Sequence, residues 1–366
     1  MGRLKRVAVP AGGFRSIAVL RLSSLGDVVL TLPVVCELKR AWPEARITYW
    51  TKEEYADLVR FDPAVDHVRP LEVDARRIED LVSMSAELED ADLILDLHGN
   101  VRTRVLTFRQ RAPVLRCGSW RLRRAASVHA RWARLAPPPR ALDRFAEALA
   151  PLGRTPANPP RVHAGEEAER WAREWIAART EPRVALLPGA RHATKRWPEE
   201  HWLELHERLR ARGRALVYVS SDTDRRTLPR LVARVETDAA ADWCVEPLPR
   251  IAALLSGCRA AVSCDSGLMH LAAARGLRVV ALFGSTAPEL GFAPAGEGHV
   301  VLCRHEPCQP CTLHGRPRCP KRHFRCMVEL RPAEVASHVE KVVASGFAGA
   351  SPVSAPGKPP HGHFTF

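Results

Sequence analysis

The sequence contains no apolar run that approaches the roughly 20 residues needed to cross a bilayer. Its first 22 residues mix basic and apolar side chains, and they contain neither a signal-peptide core nor a small-residue cleavage site. Charged residues at 26% and hydrophobic residues at 46% are typical of a soluble globular protein. We therefore expect a cytoplasmic protein.

Acidic residues are missing from one long segment. No Asp or Glu occurs in residues 101–140, although the segment contains eleven arginines. The formal net charge of +14 is informative mainly because part of it is concentrated there. Such a segment would attract a nucleic acid, an anionic membrane surface or a phosphorylated substrate. The alternative is a solvated basic face on an arginine-rich protein.

The cysteines are unevenly placed, with five of the ten between residues 303 and 326. In a protein without a secretion signal, clustered cysteines indicate a metal site more often than disulfides. Four thiolates suit tetrahedral zinc or an iron–sulfur cluster, and such a site is structural because no coordination position stays open. The alternative is four reduced thiols packed in a loop. The spacing C-x₂-C-x₇-C-x₆-C is formed by Cys308, Cys311, Cys319 and Cys326.

Short β-rich apolar runs alternate with segments of helical spacing in both halves of the chain. Residues 16–22 and 28–41 form such a pair in the first half, and residues 183–187 and 199–212 form another in the second. Alternation of this kind requires right-handed crossovers and mostly parallel sheets. We therefore predict an α/β fold with two Rossmann-like, doubly wound domains that face each other across a cleft.

Proline-rich stretches at 137–139 and 156–160 separate the two halves. A length of 366 residues also exceeds the roughly 250 that one core normally supports. We predict domains at 1–155 and 156–344, with the cysteine-rich segment 303–326 in the second. The tail at 345–366 is rich in Gly, Ser, Pro and Ala, which predicts disorder.

The first motif follows the first predicted strand, where residues 20–33 read LRLSSLGDVVLTLP. Gly26 permits a tight turn after Ser24, and Asp27 falls at the start of the following helix. The turn would direct a carboxylate and backbone amides toward the mouth of the cleft. By spacing alone, Asp27 is better explained as a helix-terminal residue favoured by capping and the helix dipole.

The second motif, LLPGARHATKRWPEEHW at 186–202, places Arg191, Lys195 and Arg196 in a loop after a predicted strand. A loop of cations at the carboxyl end of a strand can bind a diphosphate, and a lysine there can neutralise charge on a departing nucleotide. The alternative is a set of exposed loop cations.

The third motif, VSCDSGLMHLAAA at 262–274, contains a strand, a turn and a helix. Backbone amides at the start of that helix would point toward an anion. A single histidine on a helix is more often structural than ligand-binding, which stays the alternative for His270. The motif residues are Asp265, Ser266, Gly267, Leu268 and His270.

Together these motifs resemble those of the bacterial lipopolysaccharide heptosyltransferases, glycosyltransferase family nine, over residues 16–343. The two predicted domains facing across a cleft are then the GT-B architecture of these enzymes. The resemblance implies that Asp27 is the general base for the acceptor hydroxyl, as an inverting transfer requires. It also implies that Lys195 contacts the donor diphosphate and that the motif from Asp265 to His270 holds the nucleotide sugar.

Weaker parts of the resemblance extend the candidate site. Thr286, in a turn resembling one beside the family's nucleotide, is a further donor-side candidate. Residues 96–100 (DLHGN) resemble a family loop that we expect on the acceptor side. Many members also carry a cysteine-rich stretch like the one at 303–326, whose role the resemblance does not identify. The acceptor-side candidates are Ser24, Gly26, His98 and Asn100.

The function implied is an inverting transfer of heptose from ADP-heptose to the inner core of a lipopolysaccharide precursor, with no cofactor required for catalysis. The acceptor would be an anionic lipid A–core molecule at the inner membrane, so the enzyme would be cytoplasmic and peripherally associated with that membrane. One alternative is a related GT-B enzyme with another nucleotide sugar. A second, a basic zinc-containing nucleic-acid-binding protein, leaves the donor motifs unexplained, and we expect no specific nucleic acid partner. A third, a non-catalytic scaffold, is disfavoured because Asp27, Lys195 and Asp265 are all retained.

Overall fold

The computed structural model describes residues 7–71, 78–129, 137–179, 181 and 183–345. The tail predicted to be disordered therefore lies outside the described residues, apart from Ser345. Within the described part of the chain, no helix is long and apolar enough to cross a membrane.

The first half of the chain forms a parallel sheet flanked by helices. Its strands are β1 (Ser16–Leu20), β2 (Arg46–Lys52), β3 (His67–Leu71), β4 (Leu93–Asp96) and β5 (Val114–Arg116), in the order β3-β2-β1-β4-β5. Its helices are α1 (Leu25–Ala41), α2 (Glu53–Arg60), α3 (Ile78–Ser85), α4 (Val101–Leu106), α5 (Arg121–His129) and α6 (Ala141–Ala146). Short 3₁₀ helices occupy 86–88 and 147–152.

The second half repeats this plan. Its helices are α7 (Glu166–Ala177), α8 (Glu199–Arg210), α9 (Asp222–Arg226), α10 (Pro229–Glu236), α11 (Leu248–Ser256), α12 (Gly267–Ala274), α13 (Arg325–Val328) and α14 (Pro332–Ala344). Its strands are β6 (Arg183–Leu187), β7 (Ala215–Val219), β8 (Ala241–Cys244), β9 (Ala260–Cys264), β10 (Val279–Phe283) and β11 (Val300–Cys303). Their order is β11-β10-β9-β6-β7-β8, again all parallel. Further 3₁₀ turns lie at 193–195 and 288–290.

Both faces of the first sheet are covered, as a parallel sheet requires. Along β1, Ile17 and Val19 belong to one hydrophobic cluster, whereas Ala18 and Leu20 belong to another on the opposite face. The strands of the second sheet alternate in the same way between two clusters. The predicted α/β fold with two Rossmann-like domains is confirmed; the residue limits of the two domains stay a prediction.

Each sheet reverses its strand order at one point, between β1 and β4 in the first sheet and between β6 and β9 in the second. Ligands of open α/β sheets bind outside the carboxyl ends of the strands at such switch points. The loop after β1 contains Asp27, the loop after β6 contains Lys195, and the turn after β9 contains Asp265. The fold therefore places the three motifs at the two switch points.

The spacing of residues 224–235 alone predicts a single helix, and this prediction is wrong. The structure has two helices, α9 and α10, separated at Thr227 and Leu228. Pro229 has no amide hydrogen to continue α9, and its fixed φ suits the first turn of α10.

Candidate active site

A cleft of about 1140 Å³ lies at the carboxyl ends of both sheets. Asp27 and His98 line it from the first domain, and Lys195 and Asp265 line it from the second. Motifs that are more than two hundred residues apart in sequence thus meet in one space. Other predicted site residues that line the cleft are Ser24, Gly26, Ser266, Gly267, Leu268 and His270.

Asp27 lies in the first turn of α1 and is held by an ion pair. Its Oδ2 is 2.5 Å from a guanidinium nitrogen of Arg21 and accepts a hydrogen bond from the Ser24 hydroxyl at 3.1 Å. Burial acts to raise the pKa of Asp27, but the charge of Arg21 and the hydrogen bonds from Ser24 outweigh it, so the pKa is lowered. The carboxylate is therefore ionised at neutral pH and ready to accept a proton.

Arg21 is itself fixed by contacts on three sides. Besides the ion pair with Asp27, it donates a hydrogen bond to the Leu97 carbonyl at 2.7 Å, and its guanidinium carbon lies 5.0 Å from the ring centre of Phe145. These contacts restrict where the Asp27 carboxylate can point.

Two further arginines surround this pair. Arg144 is 7% exposed and Arg124 is half-buried, and both line the cleft. Burial and, to a smaller extent, the charge of Arg144 lower the pKa of Arg124 to about 10; both guanidinium groups remain charged at neutral pH. The positive charges of Arg21, Arg124 and Arg144 lie near the carboxylates of Asp27 and Glu147, and the surplus positive charge suits an anionic group on a ligand.

Lys195 is paired with Asp265 across the donor side of the cleft. Lys195 Nζ lies 2.8 Å from Asp265 Oδ2, and the hydroxyl of Thr286 donates to the same oxygen at 2.6 Å. Thr286 is fully buried, so it contacts Asp265 and not the cleft. The arrangement fixes both the carboxylate and the ammonium group at the edge of the cleft.

The N-terminus of α12 presents donors to the same space. Gly267 and Leu268 form its first turn after the N-cap Ser266, so their amide groups have no partner within the helix. Among the described residues, the Ser266 hydroxyl and His270 Nδ1 are also buried without a hydrogen-bond partner. Burial lowers the pKa of His270 to about 4, so the ring is neutral at pH 7. These groups can bind an anion such as a diphosphate.

Two glycines let α1 and α12 touch. A Cβ on Gly26 would lie 2.6 Å from a ring carbon of His270, and a Cβ on Gly267 would lie 2.7 Å from the Cβ of Leu25. A larger residue at either position would clash unless the facing side chain or its helix moved. Because of this close approach, the helix that carries Asp27 packs directly against the helix that would hold the donor.

Two predicted acceptor-side residues differ in their placement. His98 lines the cleft, and burial, helped by the charge of Arg21, lowers its pKa to about 4. Asn100 instead caps α4, because its Oδ1 accepts a hydrogen bond from the Thr103 amide at 3.0 Å.

The four clustered cysteines lie around a second, much smaller pocket of about 10 Å³, which His323 also lines. They are free thiols, and His323 Nε2 lies 3.8 Å from Cys308 Sγ. Burial raises the pKa of Cys326 to about 12. Within the described ranges, however, no group of three or more Cys, His, Asp or Glu side chains is arranged to hold a metal ion.

Sequence reasoning missed Arg21 and Arg144 and did not place Arg124 in the cleft. Arg21 was the easier to find, because it directly follows β1 within the first motif. Arg144 lies beyond the acid-free segment, in α6, and only the tertiary fold brings it near Asp27.

The family model and the curated relatives by sequence give the same family. The model of glycosyltransferase family 9 (heptosyltransferase) matches residues 83–319. Lipopolysaccharide heptosyltransferase 1 from Pseudomonas aeruginosa is 30% identical over 358 residues, which cover 89% of this chain and 98% of that protein.

Solved structures share the fold. The Escherichia coli ADP-heptose lps heptosyltransferase II superposes with a TM-score of 0.69 at 19% identity, covering 90% of this chain and 99% of the other. The E. coli heptosyltransferase WaaC with ADP gives a TM-score of 0.63 at 22% identity, covering 89% and 99%. The predicted GT-B arrangement is confirmed by these likenesses.

Proposed function

The chain belongs to glycosyltransferase family 9, the heptosyltransferases, and from that membership we propose that it transfers heptose from ADP-heptose to the inner core of a lipopolysaccharide precursor. One observation carries the proposal. A single cleft holds an ionised carboxylate, Asp27, on one domain and a lysine beside a helix N-terminus on the other. An inverting transfer from a nucleotide sugar to a hydroxyl requires both groups. A base accepts the proton of the hydroxyl, and a cationic site holds the diphosphate that leaves.

On the donor side, the diphosphate binds the amide groups at the start of α12 and the ammonium group of Lys195. Negative charge grows on the diphosphate as the bond to the sugar breaks, and a cation fixed in a water-poor cleft stabilises that charge. Asp265, held by Thr286, keeps Lys195 in position. Its carboxylate is directed to sugar hydroxyls and not to the phosphates, because two anions repel each other.

On the acceptor side, Asp27 accepts the proton of the attacking hydroxyl. A lowered pKa makes Asp27 a weak base. The transfer is nevertheless feasible because the hydroxyl becomes strongly acidic as its oxygen bonds to the sugar carbon. The proton therefore moves to Asp27 late in the reaction, when even a weak base suffices. His98, which is neutral, lies on the same side and is available to orient the acceptor.

The acceptor we propose is the anionic lipid A–core molecule at the cytoplasmic face of the inner membrane. Its phosphate and carboxylate groups suit the surplus positive charge of Arg124 and Arg144. The enzyme then works in the cytoplasm, peripherally associated with that membrane, and needs no nucleic acid partner.

The transfer uses no metal ion in this mechanism. For the cysteine cluster we propose a structural zinc ion or iron–sulfur cluster, supported by the four thiols and His323 around one pocket. Binding would draw at least three of these side chains closer together than they now lie, and it would displace the thiol protons.

The proposal is tested by incubating the purified chain with ADP-heptose and a truncated, soluble inner-core acceptor and by measuring the product mass. We expect a gain of one heptose, and a much lower rate with UDP-, GDP- or ADP-activated hexoses. Transfer from one of those hexose donors, with none from ADP-heptose, would support the related GT-B enzyme instead.

A further inference from the structure

The three most exposed large apolar side chains of the described residues lie in one segment. Val101 is 75% exposed, Phe108 80% and Leu122 89%. The other exposed large apolar side chains in the described part of the protein are 43–55% exposed. Val101 and Phe108 lie on the outer side of α4 and its following turn, and Leu122 lies in the first turn of α5.

The same segment carries charge of one sign. Residues 101–140 contain no Asp or Glu. Arg104, Arg109 and Arg111 are exposed beside Val101 and Phe108 in sequence. None of these three forms an ion pair with another described residue. The surface therefore combines apolar side chains with unneutralised guanidinium groups.

This surface borders the cleft on the side of Asp27. Arg104 of α4 and Arg124 of α5 both line the cleft, so both helices lie at its rim. A molecule held at this surface would lie beside the opening of the cleft that contains Asp27.

We propose that Val101, Arg104, Phe108, Arg109 and Leu122, here called the basic apolar face, dock the protein on a bilayer that contains anionic phospholipid. The arginines contact lipid phosphates, and the apolar side chains enter the boundary between headgroups and acyl chains. The inference rests on the proposed function, because a lipid-borne acceptor would then reach Asp27 without leaving the membrane.

The positive charge and the exposed apolar side chains together favour an anionic bilayer over other partners. A second copy of the chain that paired through the same face would bring like charges together and be repelled. A nucleic acid would use the arginines, but Val101 and Leu122 have no ring on which a base can stack. A bilayer with anionic lipid uses the charge and the aliphatic side chains together.

The test is sedimentation of the full chain with vesicles of phosphatidylcholine alone or with added phosphatidylglycerol. We expect binding to the anionic vesicles that weakens with salt. The double variant Phe108→Ser/Leu122→Ser should bind at least about tenfold more weakly, since each substitution removes a large apolar side chain from the interface. Val82→Ser, a 55% exposed residue on α3 outside the face, is the matched control and should bind like the wild type.

Turnover on the soluble acceptor separates this inference from the proposed function. Wild type, double variant and control should transfer heptose to that acceptor at equal rates. If none of the three proteins transfers heptose, the proposed function is refuted. The vesicle experiment would still decide whether the basic apolar face binds an anionic bilayer. Equal vesicle binding by wild type and double variant overturns the inference, as does an absence of wild-type binding. Tighter binding to RNA than to anionic vesicles, with the same dependence on Phe108 and Leu122, also overturns it.

Discussion

Replacing Arg21 with Met should make the enzyme lose activity selectively at acid pH. In the folded protein Arg21 lowers the pKa of Asp27, whereas burial alone would raise it. The carboxylate therefore stays ionised, and able to act as a base, as the pH falls. Without Arg21 the burial effect is no longer offset, so Asp27 becomes protonated at a higher pH and the acid limb of the rate profile moves up.

The size of the effect follows from the geometry. The two side chains are 11% and 19% exposed, so water screens their interaction little. At an effective dielectric constant of about 20 and roughly 4 Å between charge centres, the attraction is ~4 kcal/mol. Arg124 and Arg144 remain near Asp27 and retain part of this stabilisation. Because ~1.4 kcal/mol corresponds to a factor of ten, we expect a loss of about 10- to 100-fold in kcat/KM at the acid end.

The assay is a pH profile of kcat/KM with a soluble acceptor, for wild type, Arg21→Met and Arg21→Lys. The lysine variant keeps the charge and should stay close to the wild-type profile. The methionine variant should recover most of its rate at alkaline pH, where Asp27 is ionised without help. An equal loss at every pH would refute the reasoning, because it would mean that Arg21 acts through the fold or the acceptor and not through the ionisation of Asp27.

The same ion pair links stability to pH. A carboxylate whose pKa is lowered by folding contributes stability above its unfolded pKa, and that contribution is lost as the pH falls through its folded pKa. The Asp27 contribution should therefore be present at neutral pH in the wild type and reduced in Arg21→Met, which thermal unfolding at two pH values can measure.

Three other predictions concern the remaining parts of the site. Asp27→Asn should lower kcat by roughly 10²–10⁴, the usual contribution of a general base, with ADP affinity by calorimetry little changed; near-normal turnover by the folded variant would remove Asp27 from the mechanism. Lys195→Ala should lower turnover by roughly 10²–10³ and weaken ADP binding, because it removes one electrostatic stabiliser of the departing diphosphate. If turnover and ADP affinity are both unchanged in this variant, the diphosphate is held by other cations of the loop. Protein purified without added metal should contain close to one equivalent of zinc, or iron in cluster stoichiometry, at the four cysteines of segment 303–326, and stripping it should lower the thermal midpoint. Less than about a tenth of an equivalent, with four reactive thiols, would exclude the structural metal.

The sequence predicted the central strands well and missed three of the four edge strands in the described residues. The strands β1, β6 and β9 are almost entirely buried and read as short apolar runs. The edge strands β3 (HVRPL) and β8 (ADWC) are partly exposed and mix polar with apolar residues, so they were not predicted. The edge strand β11 was also missed, since three of its four residues are only partly buried. An edge strand pairs on one side only, so its sequence carries a weaker pattern.

Sequence motifs predicted residues that meet in the candidate cleft but did not give the direction of each side chain. Asp27 and Lys195 follow strands at the switch points, so their position in the cleft was predictable from order alone. Asn100 and Thr286 lie beside motifs too, yet one caps a helix and the other supports Asp265. The roles of Arg21 and Arg144 depend on partners distant in sequence, which no local pattern contains.

The contact between α1 and α12 couples the proposed donor site mechanically to the proposed acceptor site. Gly26 packs against His270 and Gly267 against Leu25, and both helices contribute to a single hydrophobic cluster that crosses the domain boundary. A ligand that shifts α12 by a fraction of an ångström must also shift the helix that carries Asp27. Such coupling is reciprocal by thermodynamic necessity, so a donor that strengthens acceptor binding is itself bound more tightly, by the same factor, once the acceptor is in place.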